Sequence, residues 1–83
     1  MGDKVNAGRF DLAWTELELA LTFCRLAKDR IDPIIRTRNV IDAKTAYHKA
    51  LKLLAQADRP VPINLGLLLS EAESELAAIE AHR

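Results

Sequence analysis

The chain has 83 residues, 49% of them hydrophobic and 29% charged, and its 12 basic and 12 acidic side chains cancel at pH 7. That composition describes one small globular domain rather than a disordered segment, and a chain of this size hides only about 60–65% of the surface its unfolded form exposes. Zero net charge argues against a dedicated nucleic-acid binder, and a single cysteine excludes an intrachain disulfide and any multi-cysteine zinc site.

The charge is unevenly spread: residues 1–24 carry −2, residues 25–59 carry +5 and residues 60–83 carry −3. One unpaired cysteine suits a reducing compartment, and the expected location is the cytoplasm. No apolar run approaches the ~18–20 residues of a membrane span, and no basic stretch leads into an apolar one as in a signal peptide. Met1-Gly2 opens like a myristoylation site, but Asn6 stands where Ser or Thr is needed, so no lipid anchor is expected.

Residues 1–8 (MGDKVNAG) are polar, hold two glycines and show no period. They read as a loose N-terminus to a single three-helix domain over 9–83. The first helix is predicted over about 9–30, ending before Pro33. At 100° per residue its apolar side chains fall into two stripes. Phe10, Ala13, Trp14, Leu17, Ala20, Leu21, Cys24 and Ala27 form one. Leu12, Leu19, Phe23 and Leu26 form another on nearly the opposite side. A surface helix normally has one apolar stripe, so this helix should be covered on more than one side.

Asp32-Pro33 is a start signal, because Asp is a preferred N-cap and Pro suits the first helical position. The second helix is predicted over about 33–57. Its apolar face holds Val40, Ala43, Ala46, Tyr47, Ala50, Leu51, Leu53, Leu54 and Ala57, with four alanines that let a neighbour approach closely. The opposite face carries Arg38, Lys44, Thr45, His48, Lys49, Lys52 and Gln56, with Ile41 among them and Ile34 nearby.

Asp58-Arg59-Pro60-Val61-Pro62 is a stiff turn. Leu65, Leu68, Leu69, Ala72, Leu76 and Ile79 then keep helical spacing, which predicts a third helix over about 64–81. Ser70-Glu71-Ala72-Glu73 has capping-box form and offers a later start. The long helix is preferred because Leu65, Leu68 and Leu69 stay in register with the later apolar positions. Leu67 points away from that stripe. No strand or hairpin signal competes. The predicted fold is all-α, an antiparallel three-helix bundle. Trp14, Leu17, Leu21, Tyr47, Leu51, Leu54, Leu68, Leu69 and Leu76 are expected to form most of its core.

Catalysis has no constellation here. His48 lies on a polar helix face and His82 is the penultimate residue, and neither has a nucleophile at helical spacing. Cys24 falls in the main stripe of the first helix and reads as a buried, inert thiol. Lys44 and Lys52 flank His48 at i−4 and i+4, which opposes a metal cation. Glu71 and Glu75 lack a histidine partner and read as a solvated acidic face. No phosphate-binding glycine motif is present. Arg36, Arg38, Lys44, Lys49, Lys52 and Arg59 could make a basic stripe, yet no aromatic residue interleaves with them for base stacking. That stripe can instead face the acidic third helix or the first helix of a partner chain.

Leu12, Leu19, Phe23 and Leu26 are the most specific signal. Their i, i+7, i+11, i+14 spacing suits one seam between packed helices, and exposed apolar patches mark interfaces. The plain alternative is that the first helix is central, with the other two covering both its sides.

Trp14-x-x-Leu17 followed by Leu21 resembles the first helix of a tetratricopeptide hairpin, and Ala43-x-x-x-Tyr47-x-x-Ala50-Leu51 resembles the second. Glu18 replaces the small residue of that motif, the two halves lie about a dozen residues too far apart, and there is one hairpin and no repeat. One hairpin plus a third helix is also similar in outline to MIT domains, three-helix adaptors that bind peptide helices in a groove. Both resemblances imply protein binding and no chemistry.

The sequence thus predicts a small protein–protein interaction or structural protein, not an enzyme, with no cofactor and no small-molecule ligand. It is expected to self-associate as a homodimer through the first helix, at Leu12, Leu19, Phe23 and Leu26. One alternative is a monomeric adaptor that binds a partner's amphipathic helix. The other is a nucleic-acid-associated protein using the basic segment 36–59, with Arg38, Lys44, His48, Lys49 and Lys52 as its basic face.

Overall fold

The computed structural model describes residues 2–29 and 32–81, and these form three α-helices with no strand among them. They are α1 (Gly2–Asp29), α2 (Pro33–Ala55) and α3 (Ile63–Ala81). The molecule is a rod of 47 × 18 × 15 Å. Its length is close to that of α1 itself, since 28 helical residues span about 42 Å.

Helix α1 starts at Gly2, earlier than the predicted start near residue 9, so the segment 2–8 is helical rather than loose. Two glycines there weaken a helix by about 1 kcal/mol each relative to alanine, but no proline forbids one. The predicted last residue of this helix, Arg30, lies outside the described residues.

Asp32 starts α2 as its residue type predicts. Its carboxylate accepts a hydrogen bond from the Ile34 N–H at 2.9 Å, and Pro33 takes the first helical position. Helix α2 ends at Ala55, two residues before the predicted Ala57. There the Ala57 N–H donates to the Leu54 carbonyl at 3.2 Å, which tightens the last turn. The Arg9 guanidinium donates to the free Gln56 carbonyl beyond that end. Helix α3 begins at Ile63 and is the long helix, not one starting at Ser70. Its first turn closes with Gly66 N–H donating to Pro62 O at 2.9 Å.

Helix α1 is central: it packs most extensively on α2 and less on α3, while α2 and α3 meet least. The buried residues form two clusters. Ala13 and Leu17 of α1 meet Ala50 of α2 and Leu65 and Ala72 of α3. Cys24 and Ala27 meet Val40 and Ala43 of α2 and Leu76 and Ile79 of α3. Early α1 therefore contacts late α2 and early α3, so α2 runs opposite to the other two helices.

Much of this core is alanine. Ala13, Ala20 and Ala27 recur every seven residues on α1, and Ala43 and Ala50 do so on α2, all fully or almost fully buried. Small residues on a seven-residue period keep a seam facing its partner and let the backbones approach closely. Close approach has a consequence at the margins. Trp14 and Leu51, expected in the core, are 39% and 37% exposed. Leu17 and Leu76 are buried as expected, and Leu21, Tyr47, Leu54, Leu68 and Leu69 are half-buried against the core.

Candidate functional site

The alanine seam leaves little room between α1 and α2, so the larger apolar side chains of both helices stand beside it. On the side away from α3, Leu12 is 57% exposed, Leu19 41% and Leu26 36%. Phe23 differs from these three. It is half-buried and packs against the Cys24, Ala27, Val40 and Ala43 cluster. The other helices therefore half-bury one member of the predicted seam and leave the other three between about a third and three-fifths exposed.

A shallow groove runs along this face between the two helices. Leu19 and Phe23 share one part of it with Asp42, Ala46 and Lys49, and Leu12 shares the next with Lys49, Lys52 and Leu53. Glu16 and Lys49 border both parts, so the two are continuous. Sequence reasoning assigned Leu53 and Ala46 to the core face of α2. Ala46 is buried, but Leu53 is half-buried and continues the leucine strip. The signal available was their seven-residue spacing, which matches that of Leu12, Leu19 and Leu26.

The basic residues of α2 divide between two grooves. Lys49 and Lys52 border the strip on α1, and Lys44 and His48 face α3. Lys44 pairs with Glu80 at 2.6 Å, and Glu73 lines the same α2–α3 groove, so acidic side chains offset that part of the positive charge. The His48 ring lies 5.8 Å from the Tyr47 ring, tilted by 50°. Burial, and then the nearby Glu73 carboxylate, raise the Tyr47 hydroxyl above its ordinary pKa. Arg38 stands exposed on the outer side of α2.

Cys24 is fully buried at the heart of one core cluster. Burial raises its pKa, Glu75 raises it further and Lys28 partly offsets this, so the thiol stays protonated and poorly nucleophilic. Glu75, read from sequence as solvated, pairs with Lys28 across α1 and α3. Among the described residues no three His, Cys, Asp or Glu side chains gather as a metal site, and no buried side-chain polar atom lacks a partner. No helix among them is long and apolar enough to cross a membrane. His82 lies outside the described residues.

Further apolar side chains stand exposed elsewhere: Ile34 at 76%, Ile41 at 55%, Ile63 at 81% and Leu67 at 65%. Ile34 and Ile41 lie seven residues apart on α2, and Ile63 and Leu67 four apart on α3, so each pair shares one side of its helix. The strip on α1 is distinct because Leu12 and Leu19 line a continuous groove between two helices.

In comparisons with known proteins, no family model, no curated protein and no solved structure matches the chain. The tetratricopeptide-like pattern in residues 14–51 accordingly assigns it to no family.

Proposed function

We propose that this chain works by protein–protein contact rather than by catalysis, and that it self-associates through the α1 strip. One observation carries the reading: Leu12, Leu19 and Leu26, one turn-pair apart along a single side of the central helix, are left between about a third and three-fifths exposed. Covering the exposed part of each contributes about 1–2 kcal/mol. A domain whose core is so largely alanine has few other sources of stability, which favours a second copy over an empty surface. The strip's charged border is balanced, with Glu16 and Asp42 against Lys49 and Lys52, as a surface that meets its own image needs. A location in the cytoplasm goes with this reading, supported by the single unpaired, buried thiol.

Light scattering of the wild type and of a Leu12→Glu, Leu19→Glu variant tests it. Both positions are exposed in the single chain, so the variant keeps its helical circular dichroism. The wild type is expected at twice the mass of one chain and the variant at one. A monomeric wild type defeats the reading, and a variant that still dimerises moves the contact to another face.

A further inference from the structure

We propose that the second copy lies antiparallel to the first across this strip, with a two-fold axis passing close to Leu19. This rests on the self-association reading above and adds its geometry.

A two-fold interface sets one patch against itself, so residues on either side of the axis must complement each other. Along the groove, Lys49 lies on the Leu12 side of Leu19 and Asp42 lies on the Phe23 side. Two parallel copies, related by an axis running along α1, carry their α2 helices to opposite flanks, so Lys49 and Asp42 of one copy do not meet Asp42 and Lys49 of the other. Two antiparallel copies centred on Leu19 place Lys49 of each against Asp42 of the other. Only the antiparallel arrangement pairs these opposite charges across the seam, which favours it.

The leucine spacing has the same symmetry. Leu12 and Leu26 lie seven residues either side of Leu19, about 10 Å along the helix axis in each direction. Either direction of the second helix keeps leucine against leucine, so the spacing permits the antiparallel arrangement and the charges select it. The polar neighbours tolerate being covered as well. Thr15 and Thr22 adjoin the strip between its leucines, and their hydroxyls donate to the carbonyls of Asp11 and Glu18 at 3.1 and 2.9 Å. Thr45, across the groove on α2, donates to Ile41 O at 2.9 Å. Each of these donors is satisfied within its own helix, so a docked copy leaves none of them unpaired.

Cysteine cross-linking of the full chain reads the arrangement directly. Leu12→Cys and Leu26→Cys chains, mixed and mildly oxidised, are expected to give a disulfide-linked species containing one of each. Either variant alone is expected to stay unlinked, and Leu19→Cys alone is expected to link to itself. Native Cys24 is fully buried, so the wild type provides the unlinked control. Self-linking of Leu12→Cys and of Leu26→Cys, each without the other, means parallel copies and overturns the proposal. A dimer by light scattering in which none of the three variants links also overturns it, while leaving self-association through another face. A wild type that stays a single chain removes both.

Discussion

Leu12 and Leu26 stand about four turns apart on α1 yet share one side of it, 57% and 36% exposed, with Leu19 midway between them. On the opposite side of the helix Leu17 is completely buried. The two classes of leucine therefore do different work. Leu17→Ala should cost about 2–5 kcal/mol, because it opens a cavity in the core. Leu12→Ala should cost the isolated chain less than about 1 kcal/mol. Urea denaturation at high dilution, where association is suppressed, checks the contrast.

The alanine seam is a size limit as much as a contact. Ala20 and Ala50 are fully buried, Ala50 in the cluster that joins α1, α2 and α3. Ala20→Leu or Ala50→Leu should force the helices apart and destabilise by about 1–3 kcal/mol or more, despite adding apolar surface. A fall in the urea midpoint with helical circular dichroism retained at zero denaturant is the expected result.

Asp32 holds the start of α2 through one hydrogen bond to Ile34 N–H. Asp32→Ala should cost about 1 kcal/mol, and Asp32→Ser should recover most of it, because a hydroxyl oxygen can accept the same bond. Thermal unfolding of the three proteins checks this.

Gly66 lies inside α3 with nothing within 4 Å of the position a Cβ would take, and with no positive φ. Gly66→Ala should therefore stabilise by about 0.5–1 kcal/mol through helix propensity and a less free unfolded chain. A raised melting temperature is the measurement.

The buried Cys24 thiol gives the fold a pH dependence of known sign. Its pKa is raised in the folded chain by burial first and Glu75 second, so the neutral form is the one the fold favours. That contribution is fully present below the thiol's unfolded pKa of about 8.5, and it is lost as pH rises from there through the raised folded value. Stability should fall as pH rises above about 8.5, and Cys24→Ala should flatten part of that slope. Tyr47, also raised, contributes in the same direction at higher pH. Denaturant midpoints across this range, for both proteins, check the sign.

Three helices, the Asp32-Pro33 start and the long α3 were legible because caps, prolines and the 3.6-residue period are local signals. The positions of Trp14 and Leu51 were not. Their exposure depends on how closely α1 and α2 approach, which the paired alanine series on both helices decides. Phe23 was grouped with Leu12, Leu19 and Leu26 by angle alone. It lies on the edge of that stripe nearest α2, which half-covers it. The basic face divided for a similar reason. Lys44 and Lys49 sit far enough apart around α2 to face different neighbours, one toward Glu80 and the other toward the leucine strip. The segment 2–8 lacked any period because its helix carries few apolar side chains, and periodicity is the signal used to find helices.

Self-association through the leucine strip of α1 makes the mass of the protein depend on its concentration. Sedimentation equilibrium of the wild type across a wide concentration range tests this most directly. The expected mass rises from 9.3 kDa for one chain toward twice that value as concentration increases. A mass that stays at 9.3 kDa up to millimolar protein contradicts it.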